Sequence, residues 1–531
     1  MNLDPHTPAQ QQAFQLLQKS GIEIVIGDYD LDLLCKAPNA ILLANKTAGL
    51  PDGLVLLYLL SLKSDHFALF NPSPSPPHKR LRPYTLKPWL IAPGRKSPLK
   101  DMAERLQAKV AQGFNIGLAA DFGDGSLLRI GDQWLRMAVL RQLRNAQTHI
   151  LPVHLQAPEY ADENFWRKNT RRLIGQKNKR IVRITVRIGE PITPQEAATF
   201  AKNRMWARYV QARIFSLGSP LEDNLSKPPA NTAIPEPLAP PIPSDEISRE
   251  LEALPPERRM CSRAQFDVFI ADINEAPNTL FEIARLREWS FREVGEGTGK
   301  KRDMDEYDLY YLQLIIWDRQ AKRIVGGYRL GLGDKIFTKF GIQGFYLHSL
   351  FRVKEPFFPI LKQCVELGRS YVSPDYQRQR LPLFLLWKGI LHFLMANPQY
   401  RYLCGPVSIS KYYTDVSKSV IIEFVKQHFF DKKLAAYVRP RKPFRPRSRK
   451  VNAALLAQRM DGKFEALERF VELIEPRHAS VPVLLRQYLR QNARFVAFNV
   501  DPAFSDCLDG LMVLDLRELP AETIESLQQE R

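Results

Sequence analysis

The chain has 531 residues, 45% hydrophobic and 25% charged, and its 76 Lys and Arg against 57 Asp and Glu give a formal net charge of +19. That much apolar material excludes a disordered tail or a fibrous repeat, and at roughly 100–200 residues per domain it predicts two to four domains. The five cysteines, Cys35, Cys261, Cys364, Cys404 and Cys507, are odd in number, widely spaced and lack a CxxC pair, which argues against a disulfide framework or a zinc site and for a reducing cytoplasm.

From the N-terminus, Met1 to Ser20 has no basic start followed by a continuous apolar run, so no signal peptide is expected. Short apolar runs at Ile24–Ile26, Ala40–Leu43 and Ile116–Ala120 predict buried strands, and Met102–Gln112 and Gln133–Asn145 have helical spacing. Arg180–Ile188 alternates apolar and basic residues like a half-exposed strand. The strongest apolar run, Gly53–Leu62, has only ten residues, about half of what a bilayer crossing needs. The proline cluster Asn71–Pro88 predicts a surface excursion. Alternating strands and helices predict an α/β domain over residues 1–218.

Residues 219–262 concentrate proline and small polar residues without aromatics, which predicts an extended spacer with no core of its own. Residues 263–531 predict a second α/β domain. It opens with a helix at Phe281–Arg292 and a strand pair at Leu309–Asp318 and Arg323–Leu330. A strand at Cys364–Val372, the loop SPDYQRQR and an amphipathic helix at Leu381–Met395 follow. Beyond the basic stretch Arg439–Lys450, Val481–Leu516 mixes strand and helix, with Asp501 and Asp509 read as turn residues.

Two sets of motifs carry chemistry. In the first domain, Leu42–Leu54 reads LLANKTAGLPDGL, Asp121–Ser126 reads DFGDGS and Arg187–Pro194 reads RIGEPITP. These resemble the PlsC-like glycerolipid acyltransferases of the hemolysin-like branch, whose signature is N-H-P-x-G-x-x-D-G. The resemblance implies a His base oriented by an Asp. Asn45, Gly49, Asp52 and Gly53 match, but Lys46 stands in place of the His and Asp124 in place of a Glu. An ammonium has no lone pair with which to take a proton from an alcohol, so this half is expected to keep the fold and lose the O-acyl transfer. A second possibility keeps both reactions, with Lys46 or a displaced His66 or His154 as base.

In the second domain, Arg285–Phe291 (RLREWSF), Asp303–Asp308 (DMDEYD), Ile324–Leu330 (IVGGYRL) and Cys364–Gln377 (CVELGRSYVSPDYQ), with Leu385–Leu391 (LLWKGIL), stand in order. They resemble the GNAT-type N-acyltransferases that make ornithine lipids, relatives of the acyl-homoserine-lactone synthases. The resemblance implies Glu366, Arg369 and Arg329 as catalytic residues, Glu366 taking the proton of the acceptor amine and the arginines clamping its carboxylate. It implies Asp305, Asp308, Arg287 and Ser370 as substrate-binding residues. Where many GNAT enzymes have a glycine-rich pyrophosphate loop, this chain has QRQRLPLF at Gln377–Phe384. Arg378 and Arg380 are then the expected phosphopantetheine contacts, and acyl carrier protein is favoured over acyl-CoA as donor substrate, with no bound cofactor and no metal.

The order of the two halves resembles the fused ornithine-lipid synthases. It implies transfer of a 3-hydroxyacyl group to an amino-acid amine by a cytoplasmic enzyme peripheral to the inner face of the cell membrane. The seven Lys and Arg of Arg439–Lys450 suit anionic headgroups. A non-enzymatic basic binding protein for membrane or nucleic acid is the competing class, but no RNP, zinc-finger or helix-turn-helix pattern points to nucleic acid.

Overall fold

A computed structural model describes residues 8–47, 50–70, 84, 100–120, 130–158, 181–221, 235–446, 450–475 and 479–528. The chain divides into two compact units, Met1–Ser226 with Ser448–Arg459 and Glu472–His478, and Lys227–Arg447 with Met460–Val471 and Ala479–Arg531. The two short returns to the first unit have no composition shift to announce them.

In the first unit, β1 (Ile22–Ile26), β2 (Ala40–Asn45), β3 (Phe67–Leu69), β4 (Asn115–Ala120), β5 (His149–Gln156) and β6 (Val182–Ile188) form one sheet in the order β1-β6-β5-β2-β4-β3. Neighbours are parallel except β5 and β6. All six residues of β2 are buried, as a continuous apolar run in the middle of a largely parallel sheet requires. The ten-residue apolar run lies in the helix Leu50–Lys63. Val55, Tyr58 and Leu59 are almost wholly inaccessible there, so the run's apolarity is explained by burial in a core. The proline cluster, Tyr84 apart, lies outside the described residues.

The second unit contains β7 (Arg259–Arg263), β8 (Phe266–Ala271), β9 (Leu312–Asp318), β10 (Arg323–Leu332), β11 (Phe351–Val353), β12 (Cys364–Val372), β13 (Tyr402–Ile409), β14 (Val438–Pro440), β15 (Arg494–Asp501) and β16 (Cys507–Asp515). Eight of them form a sheet in the order β15-β16-β13-β12-β10-β9-β8-β7, and β11 pairs with β14 apart from it. Within the large sheet only β12 and β13 run parallel. The helix Pro277–Glu293 covers one face with Leu280, Ile283 and Leu286.

The expected spacer is only partly a spacer. Residues 222–234 lie outside the described residues, but the Glu236 N–H donates to the Gly299 carbonyl at 2.8 Å and the Ala239 N–H to the Lys301 carbonyl at 3.1 Å. Ser244–Ala253 is a helix whose Ile247 and Leu251 are buried in the same core as Leu280 and Ile283. Two apolar residues at i and i+4 suffice to dock one helical face, which composition averaging conceals. The substitution Leu251→Ala is therefore expected to cost about 2–5 kcal/mol, read as a lower denaturation midpoint.

The basic stretch is likewise partly structural. Val438–Pro440 is β14, the Arg441 Nε–H donates to the His348 carbonyl at 2.8 Å, and Lys442 Nζ pairs with Asp506 at 3.2 Å. Among the described residues, no helix is long and apolar enough to cross a membrane.

Candidate active site

Strands β12 and β13 build a cleft by parting. They pair only from Cys364–Tyr402 to Glu366–Cys404. At the parting point the backbones almost touch, since a Cβ on Gly405 would stand 2.2 Å from the Leu367 carbonyl oxygen. Beyond it β12 stays on β10 through Val372, and β13 stays on β16 through Ile409. The strand edges that face each other across the gap therefore present backbone N–H and C=O groups that β12 and β13 do not give to one another. The gap opens into a cleft lined by Gly368, Arg369 and Ser370 on one strand and Pro406, Val407 and Ser408 on the other.

Arg369 marks the bend. One extra residue in β12 opposes β10 between the Gly327–Tyr371 and Arg329–Gly368 pairs, and Arg369 takes φ +49° there. A left-handed arginine in a bulge costs of order 1–2 kcal/mol. The bulge re-aims its guanidinium, which pairs through Nε with Asp303 Oδ2 at 2.9 Å and donates from Nη1 to the Tyr346 hydroxyl at 3.2 Å.

Behind the cleft lies a buried ion-pair network. Arg287, 1% exposed, donates to Asp308 Oδ1 at 2.9 Å and Oδ2 at 2.8 Å and pairs with Asp303 at 3.2 Å. Arg329, also 1% exposed, donates to Asp305 Oδ1 at 2.5 Å and is ringed by Tyr307, Tyr311 and Tyr346, each centroid 5.4 Å away. Burial alone would raise the Asp308 carboxyl, but the Arg287 guanidinium outweighs it and holds that carboxyl well below the usual carboxylate range. Asp305 and Asp308 also close a capping box on the turn Glu306–Leu309.

The structure thus brings the sequence-selected residues together but gives several of them different positions. Asp308 and Arg287 sit in the buried network, Asp308 held also by Gln313 and Arg329 and Arg287 also by Asp303, and are not among the cleft-lining residues. Glu366 is held at the start of the helix Tyr346–Leu350. Its Oε2 accepts from the Tyr311 hydroxyl at 2.5 Å and the Tyr346 N–H at 3.1 Å, and its Oε1 from the Leu347 N–H at 2.6 Å. Burial pushes it up to about 7 against those hydrogen bonds. Its carboxyl holds the start of the helix Tyr346–Leu350 and does not line the cleft. Ser370 does line it, beside the Tyr328 hydroxyl. Arg378 and Arg380 are exposed before the helix Leu381–Ala396.

Three cleft groups escaped the motifs. Tyr346 stands in no charged pattern. Glu296 sits in the glycine-rich VGEGTG and reaches the cleft from the loop after Pro277–Glu293. Asp509 precedes a glycine, a pair that signals a turn. Here Asp509 and Gly510 lie within β16, Gly510 packing under the Phe495 and Phe498 rings. Asp501, the other expected turn residue, ends β15 and accepts from the Tyr346 hydroxyl at 3.1 Å.

In the first unit, Lys46 follows β2 and is exposed, its N–H donating to the Ala120 carbonyl at 2.8 Å. Asp52 is buried and accepts from the Thr47 N–H at 2.9 Å and from the Thr47 hydroxyl. Asp124 lies outside the described residues. His154 on β5 is buried edge-on to Phe215, and burial, with Lys450 and Arg187, lowers it to about 4. His66 is exposed before β3, beside Phe114.

Residues 286–387, within the second unit, match the acetyltransferase (GNAT) domain family. The chain is 34% identical over 194 residues to a glycine N(alpha)-acyltransferase of Phocaeicola vulgatus, covering 34% of this chain and 60% of that protein. It is 36% identical over 185 residues to the glycine N(alpha)-acyltransferase of Bacteroides thetaiotaomicron, covering 33% and 55%. An L-ornithine N(alpha)-acyltransferase of Rhizobium meliloti matches at 32% over 129 residues, covering 22% and 40%. The chain therefore spans between 40% and 60% of the length of these curated relatives.

Proposed function

We propose that this protein is an amino-acid N-acyltransferase of aminolipid synthesis, moving a 3-hydroxyacyl group from acyl carrier protein to the α-amine of glycine, ornithine or a similar acceptor. The observation that carries the reading is the cleft where β12 and β13 part, with Arg369 at its bend, inside a chain similar to proteins named for that transfer. Backbone N–H groups that β12 and β13 do not give to one another beyond Glu366 and Cys404 suit a thioester carbonyl and its developing oxyanion. Arg369, with Arg329 behind it, suits the acceptor's carboxylate. Glu366, Asp305, Asp308 and Arg287 hold those groups in place.

Arg378 and Arg380 are exposed on a loop without glycine, which supports docking of an acidic carrier protein over capture of the coenzyme A pyrophosphate. The first unit is assigned a PlsC-like fold in which Lys46 replaces the base, so that it supports acyl chains or the membrane surface and performs no O-acylation. The net charge of +19 supports a peripheral seat on anionic lipid.

The purified chain, given 3-hydroxyacyl carrier protein and glycine or ornithine, is expected to form the N-acyl amino acid, detected by mass spectrometry. Reversing Arg378 and Arg380 to Glu together is expected to raise KM for the acylated carrier roughly tenfold and leave kcat in place. An unchanged KM removes carrier docking from the account.

A further inference from the structure

The cleft presents both signs of charge. Asp509, 2% exposed, is the register partner of Ser408 across the β13–β16 ladder, and the Ser408 hydroxyl donates to its Oδ1 at 2.7 Å. Glu296 lines the same cleft, beside Cys507. Arg369 supplies a cation. At Gly368 the lining is thin, for a Cβ there would meet Arg329 Nε at 4.0 Å and no other atom beyond its chain neighbours. Arg329 Nε and Nη2 are buried with no hydrogen-bond partner among the described residues. Unsatisfied guanidinium N–H groups call for an anion, and two carboxyl groups in the same cleft suit a cation. A zwitterion supplies both.

Resting on the reading of this unit as an amino-acid N-acyltransferase, we infer that Asp509 and Glu296 form the amine subsite and that Asp509 takes the proton the acceptor must lose. The acceptor's ammonium gives a proton to the Asp509 carboxylate, and the freed lone pair attacks the thioester carbonyl, forming the C–N bond. The tetrahedral intermediate collapses with cleavage of the C–S bond. The leaving thiolate takes the second proton from nitrogen, and Asp509 releases its own to solvent.

Around Asp509 stand Asp501, Glu296, Cys507, Arg369 and Tyr346. Burial, opposed by the Ser408 hydroxyl and reinforced by Asp501 and Glu296, raises the Asp509 carboxyl to about 7. Burial likewise raises Glu296 to about 7. A carboxyl so raised is protonated and unable to accept below that pH, so acylation falls on the acid side. Removing the Ser408 hydroxyl, which lowers the carboxyl's value, moves that limb to higher pH.

The test uses the full chain with 3-hydroxyacyl carrier protein and glycine. Asp509→Asn is expected to lower kcat by about 10²-fold or more, with an unchanged thermal midpoint. Glu296→Gln is expected to raise KM for glycine about tenfold, the loss of one ammonium contact. Ser408→Ala, which leaves the carboxyl intact, is expected to shift the acid limb of kcat/KM upward. Retention of kcat within about threefold by Asp509→Asn, or an acid limb that Ser408→Ala leaves in place, overturns the amine subsite while acylation by the wild type stands. A wild type that acylates no amino acid overturns the underlying reading and this inference with it.

Discussion

Replacing Arg287 with methionine is expected to cost about 3–5 kcal/mol in the stability of the second unit, although Arg287 is not among the residues lining the cleft. The guanidinium is shared by Asp303 and Asp308, both about as buried as Arg287 itself. Removing it leaves two carboxylates in a low-dielectric interior with only Arg329 and Arg369 to divide between them. The folded-state Asp308 carboxyl is held below its ordinary value. The stability it contributes is therefore fully present above the unfolded value near ~4 and is lost as pH falls through the lowered one. Denaturant titrations should show that acid limb in the wild type and not in Arg287→Met. A midpoint shift equivalent to less than about 1 kcal/mol at pH 7 would mean that the network is better solvated than its geometry allows.

This network shows how far the sequence could be read. Arg287, Asp305, Asp308, Arg329, Glu366 and Arg369 lie in four separate stretches, and ordered motifs were enough to predict that they converge. Motif order says nothing about which side of a strand faces the substrate. Glu366 and Arg369 are three residues apart in β12, an odd spacing that puts two strand residues on opposite faces, and Arg369 lines the cleft while Glu366 lies under the helix Tyr346–Leu350. Which face meets the cleft depends on how the strand is paired, and the local bulge at Arg369 is invisible to pattern reading. Asp509 was missed for the opposite reason, because its local signal was a turn and the pairing of β16 with both neighbours overrode it. The strands β2 and β4 were legible because apolar runs of strand length between turn residues leave few alternatives, and β6 because its apolar residues alternate with basic ones. The helix Ser244–Ala253 was not, since its two core residues are diluted by prolines before and after it.

The second large effect is expected from Arg369→Ala, which should lower kcat/KM for the acceptor by about 10²–10³-fold. The guanidinium is the cation that the bulge delivers to the cleft, and Tyr346 and Asp303 hold it from behind. Alanine keeps the backbone path but cannot pair with a carboxylate. The variant Arg369→Lys keeps the charge without the planar fork and should recover about a tenth of the lost rate or less. Because Arg287 still pairs with Asp303, both variants should fold, and far-ultraviolet circular dichroism separates a lost substrate contact from a lost fold. A kcat/KM within about threefold of wild type in Arg369→Ala would remove the residue from substrate binding.

Lipid profiling reports acylation of an amino-acid amine at the parted strands of the second unit. Total lipids from a bacterial host expressing the full chain are compared by mass spectrometry with those from a host expressing Arg369→Ala at equal protein level. The expected result is a new N-acyl amino acid carrying one 3-hydroxyacyl group, present with the wild type and absent or strongly reduced with the variant. Identical lipid profiles in the two hosts, with the wild-type protein folded and abundant, would contradict the account.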